Sequence, residues 1–103
     1  MNNVHPAIRL LFRVHFIRMN GPESNPTVRV LLVETAGAHS IYEGFGSWAQ
    51  CRRWVAQITE SAIFGDEMAA VEKRLEMKRM ATIKEVHVSL YDLESVGFHR
   101  ADR

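Results

Sequence analysis

Histidine is the residue type in this sequence with the widest chemistry, because an imidazole can bind a metal ion and can carry a proton near neutral pH. Five are spread along the chain, at His5, His15, His39, His87 and His99. None stands in the spacing of a metal motif such as H-E-x-x-H, and a single cysteine cannot form a C-x-x-C pair. We therefore expect no metal and no cofactor, and we interpret the histidines as exposed or hydrogen-bonding side chains.

The single cysteine, Cys51, would be a nucleophile only with a base or a positive charge beside it. It lies between Trp48 and Val55 at helical spacing, on an apolar stripe. We predict a buried cysteine that acts as a small hydrophobic side chain. Since an intramolecular disulfide needs two cysteines, the sequence favours a reducing, cytoplasmic environment.

Gly44 and Gly46 flank Phe45 just before a predicted helix, where backbone amides can hold an anion. A phosphate-binding loop also needs a lysine that reaches the phosphates, and the first lysine of the chain is Lys73. A capped helix entry explains these glycines without a ligand. The carboxylates that could act as acid and base look solvent-facing or cap-forming, so we predict no catalytic residue among Glu34, Glu43, Glu60, Asp66 and Glu67.

The composition is that of one ordinary globular domain. The chain has 103 residues, of which 47% are apolar and 24% charged, and this is enough to form a core without disulfides or metals. Its net charge is +1, so nucleic acid or anionic lipid could be bound only by a local patch. Arg9, Arg13 and Arg18 interrupt the apolar N-terminal stretch, and no run is long enough for a signal peptide or a membrane span.

Three segments alternate between apolar and polar residues with a period of two, which is typical of β-strands. They are Ile8–Ile17, Thr27–Thr35 and Ile83–Leu93. Glycine, proline and asparagine between positions 20 and 26 predict a reversal that joins the first two strands as a hairpin. A weaker alternation indicates a short additional strand over His39–Phe45.

Two amphipathic helices are predicted after this segment. Ser47 and Gln50 fit a capping box at the start of the first, while Gly65 and Asp66 indicate its end and the cap of the second. Apolar residues at spacings of three and four form a stripe on each helix. The stripes consist of Trp48, Cys51, Val55, Ile58 and Ala62 on the first helix and of Met68, Val71 and Leu75 on the second.

These elements predict a single α+β domain over residues 1–103. Its architecture is a two-layer sandwich, in which two helices cover one face of a mainly antiparallel sheet of three or four strands in the order β-β-(β)-α-α-β. The ends, residues 1–6 and 95–103, are expected to be frayed, although Val96 and Phe98 could fold back onto the body.

In this arrangement the even residues of the first strand face the helices and the odd residues face away. The outward side is more apolar than a solvent-exposed sheet face should be. We therefore predict a non-enzymatic interaction protein that binds another protein or a second copy of itself, such as a regulator, adaptor or inhibitor of the kind that phages and mobile elements encode. The predicted binding residues are Arg9, Leu11, Arg13, Ile17, Arg29, Leu31 and Val33.

A sheet platform for RNA or single-stranded DNA is the alternative, in which basic side chains meet phosphates while a tyrosine stacks on a base. The residues for this role are Arg9, Arg13, His15, Arg29, His87 and Tyr91. A protein partner is favoured over nucleic acid because only one aromatic ring is predicted on that face and the net charge is close to zero. A small enzyme without a recognisable motif is the third possibility, and no association with a membrane is expected.

Overall fold

The computed structural model describes residues 9–21, 24–35, 40–59, 64–89 and 93–101. It has an α+β fold in which one antiparallel sheet is built from β1 (Arg9–Asn20), β2 (Thr27–Glu34), β3 (Ile41–Ser47), β4 (Met80–Ser89) and β5 (His99–Arg100). Two helices, α1 (Trp48–Thr59) and α2 (Phe64–Met77), follow β3. The strand order across the sheet is β4-β1-β2-β3-β5. The predicted α+β class, with one antiparallel sheet and two helices, is confirmed, but the sheet has five strands and not three or four, because β5 follows β4 near the C-terminus.

The core lies between the sheet and the helices, as the period-two pattern predicted. Every even residue of β1 from Phe12 to Phe16 is fully buried, and so is every even residue of β2 from Val28 to Leu32. On the helices, the buried side chains are Trp48, Cys51, Val55, Met68, Val71 and Leu75. The side chain of Ile58, together with Ala62, lies outside the described residues.

The predicted capping box of α1 is present. The Ser47 backbone N–H donates to the Gln50 side-chain oxygen at 3.0 Å, and the Gln50 N–H donates to the Ser47 hydroxyl at 3.2 Å. Asn25 adds a bond that the sequence did not suggest, because its side-chain oxygen accepts from the Ala49 N–H at 3.0 Å. The hairpin loop therefore supports the beginning of α1.

The predicted boundaries of α2 and β4 need correction. Helix α2 begins at Phe64, so Asp66 is a first-turn residue and not the cap. An acid is stabilising at either position because both are close to the positive end of the helix dipole, and the sequence signal does not separate them. Strand β4 begins at Met80, three residues before the predicted start, because a bulge breaks its alternation: Val14 pairs with Ile83 but Phe12 pairs with Val86.

The C-terminal segment corrects the expectation of a frayed tail for residues 95–101. Leu93 and Phe98 are almost fully buried, and a 3-10 turn over Glu94–Val96 connects them. Gly97 has a positive φ of 104°, which lets the chain reverse into β5 beside β3. Residues 1–6 and 102–103 lie outside the described residues.

Candidate functional site

The side of the sheet that faces away from the helices is the candidate site, and we call it the outer face. Register places its side chains in rows that cross the strands. One row runs Met80, Ile17, Arg29, Phe45, and the next runs Thr82, His15, Leu31, Glu43. A third row runs Arg13, Val33, Ile41, and Leu11 beside His87 completes the face.

The apolar residues of the outer face are neighbours. Leu31 and Val33 are successive outward residues of β2. Ile17 on β1 lies diagonally across from Leu31, and Ile41 on β3 lies directly opposite Val33. All four side chains are half-buried although no helix of the described chain lies over them. Phe45 is half exposed, at 50%, at the end of its row. Adjacent strands are only about 4.8 Å apart, so these side chains form one continuous apolar strip.

A charged cluster borders this strip on β3. Arg29 places both Nε and Nη2 at 2.8 Å from the same Glu43 oxygen. The other Glu43 oxygen is 3.8 Å from His99 Nε2, and the Arg29 guanidinium is 5.9 Å from the centre of the Phe45 ring. The positive charge of Arg29 is therefore already neutralised by Glu43, and its planar group packs on an aromatic ring.

His15 lies in the middle of the outer face, where its Nδ1 is 2.9 Å from the Thr82 hydroxyl. Partial burial, with a smaller contribution from the nearby Arg13 charge, lowers the pKa of His15 below its usual value of 6.5. The neutral imidazole is therefore the favoured form at neutral pH, and it adds no positive charge to the face.

The residues predicted to bind a partner occupy one surface. Leu11, Ile17, Leu31 and Val33 are half-buried on the outer face, Arg13 is exposed there, and Arg29 is held by Glu43. Arg9 begins β1, but its side chain lies outside the described residues. Ile41, Glu43 and Phe45 also belong to the face, although the sequence pattern did not place them there. As alternate residues of the weakly predicted third strand, they were expected to share one side of it. The pairing of β3 with β2 was needed to show that this side is the outer face.

The residues predicted to contact nucleic acid form a less complete site than those predicted to contact a protein. Arg13 and His87 are exposed, but Arg29 is paired with an acid and His15 bonds Thr82. Tyr91, the predicted stacking ring, lies outside the described residues. Phe45 supplies an exposed ring in its place, at the opposite side of the face from His87.

Cys51 has the environment of a core residue. It is fully buried, its sulfur is 3.8 Å from the Val28 carbonyl oxygen, and burial raises its pKa to about 12. A thiol of such high pKa is almost entirely protonated at neutral pH, so it is a poor nucleophile. In the described ranges, no three His, Cys, Asp or Glu side chains are grouped closely enough to hold a metal ion.

Comparisons with known proteins give this chain no relatives: no family model, no curated protein and no solved structure matches it. Among the helices in the described ranges, none has the length and apolar character to cross a bilayer.

Proposed function

We propose that this chain is a non-enzymatic interaction protein that binds a partner protein through the outer face. The observation that supports this most directly is the continuous apolar strip formed by Ile17, Leu31, Val33 and Ile41 on the side of the sheet away from the helices. Solvent-facing sheet surfaces are normally polar, and a contiguous apolar patch on a small protein is typical of an interaction site.

The strip is arranged as protein interfaces usually are, with apolar side chains at the centre and polar ones around them. Phe45 and the exposed Arg13 stand at opposite ends of this arrangement. Aromatic and arginine side chains are the ones that most often contribute strongly to protein binding. We expect a partner with an apolar patch of similar size and an acidic group placed to meet Arg13.

Nucleic acid is less well supported as the partner. Binding to phosphates requires cations whose charge is available, and Glu43 neutralises Arg29 while His15 is neutral. Of the side chains predicted to contact nucleic acid, this leaves Arg13 as the arginine with an uncompensated charge on the described outer face.

The proposal is tested with Leu31→Lys on the strip combined with Leu11→Asp at the end of the same face, a pair of changes that leaves the net charge unchanged. Lysine is chosen at position 31 because Leu31 stands opposite Glu43, which would repel an acid. Aspartate is chosen at position 11 because Leu11 stands opposite His87. The control is Ala49→Asp with Gln57→Lys, which places the same charges on exposed positions of α1.

Partners are recovered from the source cells with wild-type, outer-face and control proteins as bait, and a recovered protein is then purified for calorimetry. We expect the wild type and the control to bind with equal affinity and the outer-face variant to bind at least about tenfold more weakly, since the central Leu31 contact and a second apolar contact at Leu11 are lost. Equal binding by all three contradicts the proposal. A steep salt dependence of binding to RNA or single-stranded DNA, lost in Arg13→Ala, would replace it with the nucleic-acid alternative.

A further inference from the structure

Strand β4 forms one edge of the sheet, and no other strand of the described ranges covers that edge. The Arg18 N–H donates to the Arg79 carbonyl at 2.8 Å, and the register continues from this pair to Phe16–Ala81 and Val14–Ile83. Because hydrogen-bonding direction alternates along an antiparallel strand, Ala81 and Ile83 direct their backbone groups toward β1. Met80 and Thr82 direct theirs outward, where no strand of the described ranges pairs with them.

An open groove runs beside this edge. It lies between α2 and β4, with Glu67, Ala70, Val71 and Arg74 on the helix side and residues 80–84 on the strand side. Ala70 is exposed at the middle of the helical stretch and carries only a methyl group. A second element could therefore approach α2 closely while pairing with the outward groups of β4.

The groove carries one acidic and one basic side chain on α2, so the groove of a second copy has complementary charges. Glu67 and Arg74 are seven residues apart, so two helical turns place them on the same side of α2. Both are exposed, and neither forms an ion pair within the described chain. A two-fold axis that pairs β4 antiparallel with its own copy also brings the two α2 helices side by side in opposite directions. Glu67 of each protomer then faces Arg74 of the other, with Ala70 beside Val71 between them.

We propose that β4 and α2 form a symmetric interface with a second copy of this chain, which joins two sheets into one of ten strands. The backbone groups of Met80 and Thr82 supply hydrogen bonds, and the paired acid and base of α2 select the antiparallel orientation. A bulge at Lys84 and Glu85 increases the twist of β4 after Lys84. The pairing of β4 with the second copy is therefore confined to the segment from Met80 to Lys84. This interface meets the outer face at Met80, Thr82 and Arg13, and it leaves the apolar strip accessible.

Charge reversal tests the proposed orientation. We expect wild type to form a dimer in sedimentation equilibrium and Glu67→Lys or Arg74→Glu alone to raise the dissociation constant at least about tenfold, because two like-charged contacts replace two attractive ones. The double variant carrying both changes should recover most of the wild-type affinity. Asp66→Lys is the control, since it removes another first-turn acid 100° away around the helix, and it should dimerise like wild type.

Amide hydrogen exchange reports on the strand directly. The outward N–H groups of Met80 and Thr82 should become more protected as protein concentration rises through the dissociation constant, and Thr82→Pro should abolish both this protection and the dimer. A wild type that stays monomeric at millimolar concentration overturns the proposal. So does a dimer that survives the charge reversals and Thr82→Pro but is lost in Leu11→Asp with Leu31→Lys, a result that would assign self-association to the outer face instead.

Discussion

At the scale of single residues, His15 connects the outer face to the acid stability of the fold. Its pKa is lowered first by burial and second by the Arg13 charge, so the folded protein holds a proton at this site less readily than the unfolded chain. The stability that comes from a neutral His15 is therefore fully present above the unfolded pKa of about 6.5 and is lost as pH falls toward the lower folded value.

We expect His15→Gln to reduce the loss of stability on acidification, because glutamine keeps a polar group near the Thr82 hydroxyl but cannot be protonated. The measurement is the urea unfolding free energy from pH 7.5 to 5 for wild type, His15→Gln and His87→Gln, the last being an exposed histidine on the same face. Stability of wild type and His87→Gln should fall together, and more steeply than that of His15→Gln. Parallel curves for all three would show that His15 does not contribute.

Gly46 is required by close packing rather than by its backbone angles. A Cβ at this position would lie 2.5 Å from Trp54 Cη2 and 2.9 Å from the Gln50 oxygen that caps α1. We expect Gly46→Ala to lower the unfolding free energy by about 2 kcal/mol, because the tryptophan ring must move to relieve the overlap. In a Trp54→Leu background, which removes the overlapping ring atoms, the same change should cost clearly less. An equal cost in both backgrounds would contradict this explanation.

At the scale of elements, the C-terminal segment forms part of the core that the helices alone leave incomplete. Phe98 is 2% exposed, and its ring meets Trp54 edge to face with centroids 5.7 Å apart. The Phe98 N–H donates to the Leu93 carbonyl, and the Ala101 N–H donates to the Ile41 carbonyl. The segment is therefore held by side-chain packing at one point and by a short edge strand at another.

We expect Phe98→Ala to lower the unfolding free energy by about 3 to 4 kcal/mol, since it removes a fully buried aromatic side chain and leaves a cavity beside Trp54. The neighbouring exposed residue provides the control, and His99→Ala should change stability by less than about 0.5 kcal/mol. Chemical unfolding followed by tryptophan fluorescence measures both. A loss below about 1 kcal/mol for Phe98→Ala would mean that the segment is peripheral to the fold.

At the scale of the whole molecule, one sheet carries two proposed binding surfaces, its outer face and its β4 edge, which differ in their physical properties. Its helix side is buried, and its outer face combines a half-buried apolar strip with an ion pair between Arg29 and Glu43. Its β4 edge carries backbone groups with which no described strand pairs, beside a groove lined by both apolar and charged side chains. Protein binding on the outer face uses apolar contact, whereas association through the edge uses directed hydrogen bonds and charge, so association through the edge does not need the apolar strip.

The sequence by itself determined which residues of β1, β2 and the two helices are buried, because strand and helix periodicities are local properties of the chain. Period-two alternation over Phe12–Phe16 and Val28–Leu32 predicted the core side of the sheet, and the capping box predicted the start of α1. Local pattern also placed Leu11, Ile17, Leu31 and Val33 together on the opposite side.

Only the tertiary structure decided which other residues lie beside these apolar side chains of the outer face. The pairing of β3 with β2 brought Ile41, Glu43 and Phe45 onto the outer face, and it neutralised an arginine that the sequence left available for phosphate. Packing of Phe98 on Trp54 gave order to a tail whose composition indicated fraying. These contacts join residues far apart in the chain, and their stability depends on shape and distance that a local pattern of apolar and polar residues does not encode.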